Sequence, residues 1–191
     1  FNLIAPVSGT KTLAGNVTVN GDLTIATCNT LALGAATLDV TTGATAIPGD
    51  LTIGTNGVLD ADGSFTAENG NITLTGTGTM ELSGAVAHLG VLSTGAGTVN
   101  YDGNDARTIF GDTYFNLSAN GTATKTLGGT VTLNGALLID AATTVAMATN
   151  DLSVTGSATI PGTLNVVDNT LTITGASVVA GTININTGTV D

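Results

Sequence analysis

Three observations in the sequence predict an all-β chain wound as a single parallel β-helix, or β-solenoid. An apolar–polar–apolar triplet recurs along its length, built largely from β-branched residues. Strand cores mostly follow one another at about seven or eight residues, with one longer gap, as in Leu23, Leu31, Leu38, Leu51, Val58, Phe65, Ile72 and Met80. Composition is skewed toward small residues: 38 Thr and 27 Gly in 191 residues, with aromatics at 3% and charged residues at 9%. A narrow coil interior takes Val, Ile, Leu and Ala well and large rings poorly.

The triplets run in order as Val17-Thr18-Val19, Leu23-Thr24-Ile25, Leu38-Asp39-Val40, Leu51-Thr52-Ile53, Ile72-Thr73-Leu74 and Met80-Glu81-Leu82. They resume as Val131-Thr132-Leu133, Leu152-Ser153-Val154, Leu164-Asn165-Val166, Leu171-Thr172-Ile173 and Ile183-Asn184-Ile185. In an extended strand the flanking residues face inward and the middle one outward. Turn formers separate them, among them Asn20-Gly21, Asn56-Gly57, Asp62-Gly63 and Asn134-Gly135. Thr and Gly disfavour helix, and no 3.6-residue stripe exists. Collagen is excluded, since Gly has no three-residue period and there are 3 Pro. Sandwiches and barrels use longer strands with turns farther apart. The spacing therefore predicts a right-handed coil with three faces and about nine rungs, roughly 45 Å long at ~4.8 Å per rung.

A longer repeat overlies the short one. Phe1-Asn2-Leu3 returns as Phe115-Asn116-Leu117, and Thr10-Lys11-Thr12-Leu13 as Thr124-Lys125-Thr126-Leu127. Gly15, Val17, Thr18, Asn20, Gly21, Leu23 and Ile25 recur as Gly129, Val131, Thr132, Asn134, Gly135, Leu137 and Ile139. The offset is 114, with about 15 identities in 25 positions. Ile47-Pro48-Gly49-Asp50-Leu51 answers Ile160-Pro161-Gly162-Thr163-Leu164 one residue out of step. The expectation is one solenoid domain over 1–191, with a long repeat at 1–114 and a partial second copy at 115–191. The strand pattern still runs through residues 182–191, so the next copy of the chain, or more of the same rod, is expected to supply a further rung.

The runs Val99-Asn100-Tyr101-Asp102-Gly103, Tyr114-Phe115-Asn116-Leu117 and 124–135 resemble the repeats of large bacterial surface proteins, adhesins and autotransporter-like passengers with β-solenoid stalks. The resemblance implies an exported structural or adhesive protein and brings no catalytic residues with it.

Charge excludes other classes. A net charge of -11, with Lys11, Arg107 and Lys125 as the cations, leaves no basic patch for nucleic acid or anionic membrane. No apolar stretch approaches the ~18 residues of a membrane helix, and two Tyr with no Trp cannot build the girdles of a membrane barrel. Phe1-Asn2-Leu3-Ile4-Ala5-Pro6 does not read as a signal peptide, so export implies one removed or encoded upstream. Cys28, beside Leu31 and Leu33, reads as a buried inert thiol.

No catalytic constellation emerges, and the chain is read as a non-enzyme. His88 reads as a packing or surface histidine. Asp39, Asp60 and Glu81 stand a rung apart, the one pattern that would suit a carbohydrate-active solenoid, without the aromatic platforms and cations that hold sugars. Outward Thr170, Thr172 and Thr174, Thr73 with Thr75, and Thr130 with Thr132 would suit an ice-binding array. Asp39, Asp50, Glu81 and Asn165 interrupt such an array. No cofactor or metal is expected. Asp60-Ala61-Asp62-Gly63 and Asp102-Gly103-Asn104-Asp105 read as turns, weak calcium binding being the alternative.

Residues 101–115 lack the triplet and hold Tyr101, Phe110, Tyr114, Phe115 and Arg107. They read either as an irregular rung or as a lateral contact surface. The expected interface is Phe1, Tyr101, Arg107, Phe110, Tyr114, Phe115, Ile183, Ile185 and Val190. The expected partners are copies of the chain stacked head-to-tail, with a host or environmental glycan or surface as the further partner. The expected setting is extracellular, at the cell surface.

Overall fold

The computed structural model describes residues 1–5 and 8–191; Pro6, at the end of the leader reading above, lies outside them. The fold is an all-β parallel β-solenoid of about nine turns, with no helix among the described residues. Strands of two to six residues alternate with tight turns. The triplet explains them: in Asp50–Ile53, Leu51 and Ile53 are fully buried while Asp50 and Thr52 are half-buried on the outer surface. The same parity holds in Thr37–Val40 and Thr79–Leu82. Each buried aliphatic side chain contributes about 1.5–3 kcal/mol.

The chain forms two compact units, Phe1–Val99 and Asn100–Asp191. In the first, one parallel sheet holds Leu3–Ala5, Leu23–Ile25, Thr45–Ala46, Phe65–Thr66 and Val86–His88. A second holds Gly9–Thr12, Asn29–Gly34, Asp50–Ile53, Asn71–Leu74 and Val91–Ser93. Val17–Val19, Thr37–Val40, Val58–Ala61 and Thr79–Leu82 pair in that order as a third set. Register keeps like over like, as in Leu31↔Leu51↔Ile72 and Leu38↔Leu59↔Met80.

The second unit repeats the plan. Arg107–Ile109, Thr124–Leu127, Thr144–Ala146, Thr163–Val166 and Thr182–Ile185 form one sheet. Thr113–Tyr114, Val131–Leu133, Leu152–Val154, Thr170–Ile173 and Thr189–Val190 form another. Asn116–Ala119, Leu137–Ile139, Ala158–Ile160 and Ser177–Val179 pair as the third set.

Turns stack as closely as strands. Gly43, Gly63 and Gly84 recur a rung apart, and a Cβ on any of them would strike the carbonyl of the glycine one turn earlier. Only glycine lets these corners nest. Elsewhere the corners turn through left-handed backbone, taken by Gly34, Gly76 and Gly90 but also by Ala148 at φ 53 and Asp168 at φ 55. Cys28 occupies such a corner at φ 63 and is exposed. The buried thiol expected from its apolar neighbours is corrected: the inward parity of Leu31 and Leu33 belongs to the strand Asn29–Gly34 and does not extend into the turn before it.

Candidate functional site

The segment 101–115 is an ordered part of the second unit. Tyr101 and Tyr114 are both fully buried. Their hydroxyls close a polar ring inside the core. Tyr114 donates to the Phe110 carbonyl at 2.5 Å, the Phe110 N–H donates to Tyr101 Oη at 3.1 Å, and the two hydroxyl oxygens lie 3.2 Å apart. Because the Tyr114 proton is committed to Phe110, the Tyr101 proton goes to Tyr114 Oη. Burial pushes the Tyr101 pKa up to about 12 and raises that of Tyr114 as well. These two residues present nothing to a partner, so the lateral-contact expectation is corrected for them. A tyrosine with a satisfied hydroxyl is a core residue with a polar handle.

Of the other expected contact residues, Phe110 and Phe115 are half-buried and Arg107 pairs with Asp105 at 3.0 Å. Phe1 is 71% exposed, Ile185 54% and Val190 42%, with Ile183 half-buried.

Lys125 is the residue the sequence reading missed. Its side chain is fully buried, and its ammonium donates to the Gly103 carbonyl and, at 3.1 Å, to the Asp105 carbonyl. Two carbonyls one residue apart converge on it much as they would on a metal ion. In the Asp102–Asp105 turn those two oxygens are therefore already engaged by the chain's own cation. Burial pulls the Lys125 pKa down and Arg107 lowers it further, while Asp102 and Asp105 act the other way. A signal for this was present: alternation places Lys125 on the same face as Leu127, which is buried. Lys11, at the equivalent repeat position, shares a face with Leu13 but is only half-buried. Its ammonium lies 3.5 Å from the Ser8 carbonyl and 3.4 Å from that of Gly9.

The remaining candidates lie on the outer surface. Asp39, Asp60 and Glu81 stand directly over one another in register, half-exposed. His88 is exposed in the edge strand Val86–His88. Asp50 accepts from Asn71 at 2.6 Å and from Thr30 at 3.4 Å, so carboxylate and amide groups break the hydroxyl columns there. A groove of about 490 Å³ on the second unit is lined by Ala146, Ala148, Asn165 and Asn184, with Asp168 its one titratable group.

Each unit also has open sheet edges. Leu3–Ala5, Gly9–Thr12 and Val17–Val19 each pair on one side only, as do Ser177–Val179, Thr182–Ile185 and Thr189–Val190. On the second of these faces Val179, Ile185 and Val190 stand in register with the buried Ile160, Val166 and Leu171, and so point inward yet are exposed. The exposed Val91 differs: its neighbour Leu92 is in register with buried Ile72, so Val91 faces outward.

No family model matches the chain, and no curated protein or solved structure does either. The fold thus defines a class, the parallel β-solenoid repeat proteins.

Proposed function

We propose that this chain is an extracellular structural protein, a β-solenoid filament subunit or stalk segment of a surface adhesin, whose copies assemble head-to-tail by rung stacking. One observation carries the reading: three edge strands on the second unit expose Val179, Ile185 and Val190, which are in register with the buried Ile160, Val166 and Leu171 of the rung before. Stacking another rung there would bury Val179, Ile183, Ile185 and Val190, each worth about 1 kcal/mol or more. Such a contact joins unlike faces and does not close, which generates a filament. The adhesin-like motifs support placement at a cell surface, with a glycan or surface as the further partner.

The test is negative-stain microscopy and sedimentation of the purified chain across concentration. Filaments are expected. Thr182 and Asn186 donate their N–H groups back to Gly162 and Val166, so the N–H groups of Ile183 and Ile185 point to the open side. Ile183→Pro or Ile185→Pro should leave the inner ladder intact and stop growth. A chain that stays monomeric at high concentration overturns the assembly.

A further inference from the structure

We propose that the outer surface of one sheet of the second unit binds ice, through hydroxyls that strand register holds at lattice spacing. The sheet is that of Thr113–Tyr114, Val131–Leu133, Leu152–Val154, Thr170–Ile173 and Thr189–Val190. It lies on a single chain and does not depend on head-to-tail stacking.

Register builds the array. Thr113, Thr132, Ser153 and Thr172 stand over one another and face outward, because Tyr114, Leu133, Val154 and Leu171 alternate with them into the core. Successive rungs are ~4.8 Å apart. A second column lies two residues earlier on each strand, about 6.6 Å away. There Thr170 is in register with Thr189, and Thr130 and Asp151, immediately before Val131 and Leu152, continue the line. Asp151 interrupts that column, but its carboxylate is tied to the next rung, accepting from the Thr170 N–H at 2.8 Å. Thr132, Ser153 and Thr172 are half-buried, and threonine is stiff at χ1, so the oxygens keep their places.

The chemistry of the array selects its occupant. A hydroxyl both donates and accepts hydrogen bonds, as a water molecule does in ice, whereas a carboxylate only accepts and an ammonium only donates. The two perpendicular repeats of the surface are on the scale of the oxygen repeats in hexagonal ice. Tyr114, the one aromatic residue on these strands, is buried, so a sugar ring meets no platform here.

The internal repeat shows charge kept off the central column. Thr18, the counterpart of Thr132, opens a column that continues as Asp39, Asp60 and Glu81. From Thr132 the column continues instead as Ser153 and Thr172, with Ser153 at the offset of 114 from Asp39. In a chain of net charge -11, this uncharged column suits a neutral partner. Asp39, Asp50, Glu81 and Asn165, which break the threonine pattern in the sequence, lie on other sheets.

The experiment grows ice slowly from a solution of the purified chain and an inert protein of similar size, and measures the share of each taken into the ice. Thermal hysteresis is the second readout. Wild-type chain is expected to be enriched at least tenfold over the inert protein. Ser153→Asp with Thr172→Asp, folded by circular dichroism, should lose that enrichment, since it writes the acids of the first unit into the column. Thr52→Asp with Thr73→Asp, outward on a sheet of the first unit, should keep it within twofold. Exclusion of wild-type chain from ice overturns the proposal. So does undiminished enrichment of the folded Ser153→Asp, Thr172→Asp chain, or retention of wild-type chain on crystalline cellulose or chitin without uptake into ice. Uptake of a chain that stays monomeric leaves the ice face standing while head-to-tail stacking fails, and filaments excluded from ice do the reverse.

Discussion

Residues 1–25 and 115–139 are two copies of one motif in two settings, and their differences separate what a sequence encodes locally from what its neighbours impose. One asparagine contact and the glycine beneath it are the same in both. Asn2 accepts a hydrogen bond from the Asp22 N–H at 2.9 Å, and Asn116 accepts one from the equivalent Ala136 N–H at 2.8 Å. Gly21 and Gly135 both leave room for that asparagine side chain. Burial is not the same. Leu117, Leu127 and Val131 are buried, whereas Leu3, Leu13 and Val17 are half-buried, and Lys125 is enclosed while Lys11 is not. The covering rung makes the difference, as expected where each repeat is stabilised by its nearest neighbours.

The largest expected break in this symmetry comes from the lysines. Lys125→Ala should destabilise the chain by about 3–5 kcal/mol, since it leaves a cavity and two buried carbonyls without a donor. Lys11→Ala should cost under ~0.5 kcal/mol in the unassembled chain. Chemical denaturation of both variants measures the gap, and equal losses would mean that the enclosed ammonium contributes nothing special.

Alkaline pH should act next, and on the second copy's unit alone, because both tyrosines lie there. A folded pKa above the unfolded one means stability that is complete below pH 10 and lost as pH rises through the folded value. For Tyr101, raised from 10.0 to about 12, that loss is on the order of 3 kcal/mol. Lys125 has the opposite sign: its lowered pKa means stability gained as pH rises toward its unfolded value of 10.5. The two tyrosines together should outweigh it. Denaturation midpoints followed from pH 9 to 12 should fall, and Tyr114→Phe should flatten the slope.

A smaller effect should distinguish the glycines. A Cβ at Gly135 would lie 2.5 Å from Asn116 Oδ1 and 2.7 Å from the Phe115 ring. Gly135→Ala should cost about 1–2 kcal/mol through the displaced hydrogen bond and ring. A Cβ at Gly15 meets nothing within 4 Å, so Gly15→Ala should fall within about 0.5 kcal/mol of wild type. The smallest change should be a gain: Ala148→Gly, which relieves left-handed backbone at a corner, should stabilise by about 0.5–1 kcal/mol. A thermal melt without an upward shift would show that the corner tolerates alanine.

What was legible in the sequence was whatever depends on strand parity. Leu38 with Val40, Leu51 with Ile53 and Leu164 with Val166 point inward because alternation leaves them no choice, and the solenoid follows from repeating that choice every short strand. What was not legible depends on which rung lies above. Tyr101 and Tyr114 read as surface anchors because aromatics in an irregular stretch often are; their burial needs a ring of partners contributed by Phe110, between them in sequence. Lys125 obeys parity but violates the expectation that charge faces water, and only the turn at Gly103 and Asp105 explains it. Cys28 failed for the opposite reason, since parity was extended into a corner where it does not apply.

The stacked corner glycines also set the terms on which such a chain can change by inheritance. With Gly43, Gly63 and Gly84 each seated on the carbonyl of a glycine one turn earlier, a substitution at one corner disturbs two rungs. Corner length is freer. Lys125↔Val145 spans 20 residues and Val145↔Leu164 spans 19, while Leu23↔Thr45 spans 22, and the strands stay in register. Duplicating a whole turn adds a corner that already fits the one beneath it. A lineage built on this plan should lengthen by copying rungs, vary by one or two residues at its permissive corners, and keep its nested glycines.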